Sequence, residues 1–204
     1  MLFCGAFKLG VAQHEREFPL KSLAIEHTRL AYYTDFGVYL LAALLLPGLL
    51  IYCTPTSLRG ALVVAGLAGL VMWSLIEYAM HRFVFHGVEP FQRLHAEHHR
   101  RPLALIATPT LVSVGLIVVL VWLPAILVAG FWLGSGITLG VTIGYFVYGV
   151  LHHGVHHWRA KGNWMRQCKR QHAIHHHNPR VNYGVTMLWW DRVFGSSTPQ
   201  TDKL

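Results

Sequence analysis

The 204-residue chain is 53% hydrophobic and only 13% charged, with a mean hydropathy of +0.40 and a formal charge of +8. That balance excludes an ordinary soluble domain and reads as a membrane protein. The pI near 9.7 could suggest nucleic acid, but the basic residues sit between long apolar runs rather than on an RNA- or DNA-reading motif, so no nucleic-acid partner is expected.

Residues 1–35 read as a cytoplasmic N-terminal segment. Its start, MLFCGAFKLGVAQHEREF, lacks the basic opening, long apolar core and small-residue cleavage site of a signal peptide. Residues 36–204 read as one membrane domain, without a linker, repeat or low-complexity tract to divide it. A bilayer core of roughly 30 Å needs about 20 apolar helical residues. Segments near 36–53 and 60–80 qualify and are joined by a short turn containing Pro55 and Arg59. The apolar stretch 108–151 is too long for one crossing, and FWLGSG at 131–136 offers an uncharged break, giving spans near 108–129 and 134–151. The predicted fold is therefore an all-α integral membrane protein with four transmembrane helices in two hairpins. Of the 17 Lys and Arg residues only Arg59 falls on the far side of these spans, so the positive-inside rule predicts that both termini and the middle loop are cytoplasmic. The same residues should attract anionic headgroups. Cys4, Cys53 and Cys168 lack the paired spacing of a zinc ribbon or a disulfide framework.

Histidine carries the functional information. Of 15 histidines, only His14 and His27 lie outside the regions 81–99 and 152–177, and both are expected to be non-ligands. Each region begins where an even-numbered span ends, so both emerge on one face of the membrane. His81 and His86 would be splayed by about 140° on a regular helix. Gly87 therefore predicts that the helix ends between them, letting His86 fold back. His95, His98 and His99 have the three-and-four spacing of one helical face, as do His172, His175 and His176, with His177 adjacent. Three imidazoles on such a face could hold a metal. Between these motifs, LHHGVHHW offers His152 with His156, or alternatively His153 with His157. Either choice gives ten imidazoles, too many for a tetrahedral zinc site and suited to two metal ions held in a cytoplasmic, histidine-rich helical cap. His95-Ala-Glu97-His98 is not the zinc-protease motif, because the general-base position is wrong. Glu77, Glu97, Asp191 or a backbone carbonyl is expected to fix ring tautomers.

These motifs, in this order and between such spans, resemble the fatty acid hydroxylase superfamily, which includes sterol desaturases and carotenoid hydroxylases. The resemblance covers roughly residues 70–196. Gly144–His152 is most similar to fatty acid 2-hydroxylases, and Tyr183–Gly195 resembles the family's terminal Trp-Asp and Phe-Gly tract. The resemblance implies two iron ions, which zinc can replace in a purified sample, with molecular oxygen as co-substrate and hydroxylation of an aliphatic carbon of a fatty-acyl or related membrane lipid. Electrons would come from an external donor, such as cytochrome b5 or ferredoxin with its reductase, since no haem-binding motif is present. Composition does not choose iron, because imidazole also suits zinc, copper and nickel. The membrane would be the plasma membrane in a bacterium or the endoplasmic reticulum in a eukaryote. Trp189, Trp190 and Phe194 are expected to anchor the chain as an aromatic belt at the membrane interface, with a cover over the site as the alternative. Sterol or carotenoid hydroxylation or desaturation is the alternative within the superfamily. A histidine-based metal transporter or sensor is the alternative outside it, and would need ionisable groups along the spans.

Overall fold

The structure is a computed structural model that describes residues 26–198, so Cys4, His14 and most of the predicted N-terminal segment lie outside the described residues. The described chain is helical, apart from an isolated antiparallel bridge between Glu26 and Ile106. Helix α1 spans Arg29–Cys53 and starts about two turns before the predicted span. Thr28 caps it, its side chain accepting a hydrogen bond from the Ala31 amide at 3.2 Å. Tyr32 and Tyr39 are its only buried residues, while Leu41, Leu44, Leu45 and Leu49 point outward, as a lipid-facing helix requires. Helix α2, Arg59–Ala79, continues without interruption into a π-helical turn, Met80–Phe85.

Among the described residues, three helical segments are long and apolar enough to cross a membrane: Arg29–Cys53, Thr56–Phe85 and Thr110–His157. The third contains both of the later predicted spans. It consists of α4 (Thr110–Ile117), a π turn (Val118–Trp122) and α5 (Leu123–His157). Drawn straight, these 48 residues would extend ~72 Å, over twice the hydrocarbon thickness. They do not run straight. Gly130 has φ 75° and ψ 169°, a conformation that favours glycine, and interrupts the helix one residue before the predicted break. The indole Nε1 of Trp122 donates to the Ser135 hydroxyl at 3.1 Å, although a straight helix would separate these residues by ~20 Å. The segment therefore folds back on itself at Gly130.

After that reversal α5 runs parallel to α2, with the two backbones in contact. A Cβ on Gly69 would lie 2.0 Å from the Ile137 carbonyl oxygen, and one on Gly140 would lie 2.0 Å from that of Gly66. Gly136 faces Leu62 and Ala65, and Gly144 faces Trp73, so contact positions advance together along both helices. Small residues permit this approach, which dispersion contacts then stabilise. The same register aligns the cytoplasm-directed helix ends predicted from the charge pattern. An offset of 71 (140 − 69) carried to those ends sets His152 level with His81. Two short helices, α3 (Phe91–Arg100) and α6 (Gly162–His177), then supply the remaining histidines. A final turn, α7 (Trp189–Val193), packs back onto α2.

Replacing Gly140 with Ala should force α2 and α5 apart and destabilise the protein by about 1–3 kcal/mol. Gly37→Ala, where a Cβ meets nothing within 4 Å, should leave stability nearly unchanged. Thermal denaturation of the two variants in detergent checks the contrast.

Candidate metal centre

The π turn solves the spacing problem at the end of α2. The helix ends at Phe85, between His81 and His86 as predicted, with His86 as its cap, and the wider winding of that last turn helps bring the two residues onto one side. Their rings lie 5.3 Å apart, tilted by only 25°. His81 and His86 join His95 and His99 from α3 and His175 from α6, each offering one nitrogen within 4.8 Å of all the others. We call this group one. Group two contains His98 from α3, His156 from α5, and His172 and His176 from α6. His152 borders group two, its ring 4.7 Å from that of His98 and 4.9 Å from those of His156 and His172.

The three-histidine motifs thus do not gather at one point each, as their spacing suggested. The i, i+4 pairs stay together, His95 with His99 and His172 with His176. The middle residues, His98 and His175, cross to the opposite group. Each of α3 and α6 consequently serves both groups and ties them to each other. Of the two pairs in LHHGVHHW, His152 and His156 face the cluster. His153 turns away, its Nδ1 3.2 Å from the Tyr32 hydroxyl, and stacks on the exposed His157. His177 is exposed, and His27 donates from Nε2 to the Ala107 carbonyl at 3.0 Å.

Hydrogen bonds to backbone set the tautomers of two rings. His81 Nδ1 donates to the Tyr183 carbonyl at 2.5 Å, and His175 Nδ1 donates to the Val181 carbonyl at 2.8 Å. A neutral ring that donates from Nδ1 carries a lone pair on Nε2. His81 Nε2 lies 3.0 Å from His95 Nε2, which itself lies 3.0 Å from His99 Nε2. One proton on His95 cannot serve both contacts at full strength. Group two repeats the pattern, with His172 Nε2 at 2.9 Å from His156 Nε2 and 3.1 Å from His176 Nε2. Both nitrogens of His98 and Nε2 of His152 are buried without any hydrogen-bond partner.

Burial also disfavours protonation, with the neighbouring rings adding to the effect. It lowers His98 to about 2, helped by His156, and His99 to about 3, helped by His176. His175 falls to about 4, although its bond to Val181 opposes the shift. His95 and His172 lie far below the ordinary range for the same reason. Neutral rings with converging lone pairs are what a cation requires. Two nitrogens bound at ~2.1 Å and at right angles lie ~3.0 Å apart, whereas tetrahedral angles would separate them by ~3.4 Å. The observed 2.9–3.1 Å contacts match the former. The residues present therefore fit two metal ions, with five nitrogens gathered in group one and four in group two, beside which His152 lies.

The carboxylates act one step further out than expected. Glu77 accepts hydrogen bonds from the Val185 and Thr186 amides at 2.8 and 2.9 Å, and from the Thr186 hydroxyl. Asp191 accepts from the Tyr183 and Gly184 amides, both at 2.8 Å, and from Ser196 at 2.7 Å. Both thereby hold the segment whose carbonyls orient His81 and His175. No residue-type signal marked those carbonyls in the sequence, because any residue supplies one. Glu97 instead forms ion pairs with Arg100 and Arg101. Nor do Trp189, Trp190 and Phe194 cover the histidines. Trp190 Nε1 donates to Ser74 at 3.1 Å with Trp189 stacked on it, and Phe194 stacks on Tyr78 at 5.1 Å.

Parallel helices packed through glycines, with histidine groups at one end that could hold metal ions, define an all-helical membrane protein. Residues 66–196, more than half of the chain, match the sequence model of the fatty acid hydroxylase family, and the chain belongs to that family. It is 32% identical over 139 residues to a dihydroceramide fatty acyl 2-hydroxylase of Arabidopsis thaliana, covering 63% of this chain and 58% of that one. It is 34% identical over 146 residues to a ceramide very long chain fatty acid hydroxylase of Schizosaccharomyces pombe, covering 64% and 41%. Against the fatty acid 2-hydroxylase of Homo sapiens it is 29% identical over 150 residues, covering 67% and 40%. The matches thus span about two fifths to three fifths of the length of these relatives. The solved structure of full-length scs7p, in which only the hydroxylase domain is visible, has the same fold, with a TM-score of 0.73 at 24% identity over 85% of this chain and 69% of that one.

Glu77→Gln and Asp191→Asn should each lower metal affinity about 10- to 100-fold although neither carboxylate touches a ligand ring, while Glu97→Gln should not. Competition with a chelator, read by metal analysis, distinguishes them. A second expectation concerns pH. With folded-state histidine values lowered, the unfolded chain binds more protons below its ordinary value of about 6.5. Stability of the metal-stripped protein should hold steady above about pH 7 and fall as pH drops toward about 4. Thermal melts of stripped protein at the two ends of that window check the sign.

Proposed function

We propose that this chain is a membrane di-iron lipid hydroxylase. Its two ions would be held by His81, His86, His95, His99 and His175 in group one, and by His98, His152, His156, His172 and His176 in group two. The observation that carries this reading is the gathering of nine imidazoles in two groups, with His152 beside the second, at nitrogen spacings suited to coordination at right angles. When bound, the irons supply activation of molecular oxygen for insertion into an aliphatic C–H bond. The protein's own residues position the ligands and the lipid. The named relatives act on fatty acyl groups and ceramides, which favours an acyl chain over a sterol as substrate.

In this reading, the segment folded at Gly130 makes two crossings, giving four in all, and the metal centre with both termini faces the cytoplasm. The one-sided distribution of Lys and Arg supports that orientation. An acyl chain approaching from the hydrocarbon along α5 meets Tyr148, stacked 5.5 Å from His152. Electrons come from an external carrier protein.

The test is a lipid profile of aerobic cells expressing the intact chain or His175→Ala. Hydroxylated acyl chains should appear only with the intact protein. Their absence in both, with a reductase system present and the protein metal-loaded, would contradict the reading.

A further inference from the structure

The proposed hydroxylation does not balance on the chain alone. Converting R–H and O2 into R–OH and water sends one oxygen atom to the lipid and the other to water. It consumes two electrons and two protons. None of the side chains around the centre is a reservoir for those electrons, so a one-electron carrier must dock twice per turnover, close to the histidines.

Helix α6 offers the face for this. His172, His175 and His176 point inward on one side. Arg166, Arg170 and His177 form a stripe on the other, with the three ligands about 140° to 240° around the helix from Arg170. All three stripe residues are exposed, as are Arg159 and Lys161 just before the helix and Arg180 just after it. Between Glu97 and Asp191 the sequence contains no acidic residue. Among the described residues, the ion pairs lie at Arg93, Arg100 and Arg101, and none involves these cations. Arg166 and Arg170 are like charges one turn apart, which disfavours the helix unless an opposite charge arrives.

Two groups could supply that charge, anionic lipid headgroups or an acidic protein. A helix lying in the membrane interface buries an apolar face by roughly 5–10 Å. On α6 the only large apolar side chain turned outward is Trp164. The outer face is thus built for water, and a single helix diameter of ~10–12 Å separates it from the ligands.

We propose that the outer face of α6, centred on Arg166 and Arg170, is the docking surface for an acidic one-electron carrier protein, which passes electrons through this one helix to the histidine centre. The inference rests on the hydroxylase reading for its need of electrons, but not for its charge and geometry.

The experiment uses the full chain in phosphatidylcholine nanodiscs, with a soluble, acidic cytochrome b5 domain as probe. Binding of the probe is followed by its haem absorbance, and product formation is driven either by the reduced probe or by dithionite. R166E/R170E should weaken probe binding about tenfold or more at low salt and remove most of its salt dependence, while leaving dithionite-driven turnover unchanged. Equal probe affinity in wild type and variant would overturn the proposal. So would unchanged probe affinity joined to loss of a stabilising effect of added phosphatidylserine, which would assign the face to lipid headgroups. Probe binding does not depend on turnover. Absence of product from metal-loaded wild type would therefore count against the hydroxylase reading, while the binding arm still decides the docking face.

Discussion

Nine imidazoles gathered in two groups, with His152 beside the second, ring nitrogens about 3 Å apart and no carboxylate between them, repel one another unless a cation sits in each group. The rest of the structure can be understood as the scaffold that enforces this arrangement. Burial keeps the rings unprotonated, so they cannot escape the repulsion by taking up protons and moving apart into water. In the unfolded chain the same histidines would be separate and partly charged, which couples metal binding to folding.

Two devices hold the rings in place. The first is the parallel contact of α2 and α5, where glycines at 69 and 140 let the backbones touch and fix their register. Because the helices run in the same direction, both deliver histidines to one end. That parallel course requires a return path, which the reversal at Gly130 provides. The second device is the segment 181–186. Glu77 and Asp191 each bind two of its consecutive amides, and its carbonyls at Val181 and Tyr183 fix the two inward rings His175 and His81. A carboxylate buried in α2 thus controls the metal centre through backbone rather than by direct contact.

Much of this was legible in the sequence, for reasons that can be stated. Long apolar runs and clustered histidines are compositional, so the long helices and most of the histidines that lie together emerged directly. The split of each three-histidine motif between two groups did not, because spacing along one helix says nothing about which partner helix each ring faces. The π turn at Met80–Phe85 was missed for a related reason: a five-residue spacing assumes regular winding, and only the packed structure reveals the wider turn. The choice between His152 and His153 was open in sequence because both pairs have the same spacing. Packing beside Tyr32 turns His153 outward. For the aromatic tail the sequence left both an interfacial anchor and a cover over the site open; Ser74 and Tyr78 draw it onto α2 rather than over the histidines.

The central claim is that two metal ions share these ten rings in two sets of five. The most direct measurement is metal content per chain for the intact protein, His95→Ala, His98→Ala and His153→Ala, purified in parallel after loading with iron. The account predicts about two ions for the intact protein and for His153→Ala, with loss of about one ion from each of the other two variants. Fewer than one ion in the intact protein, or equal loss from His153→Ala, would contradict it.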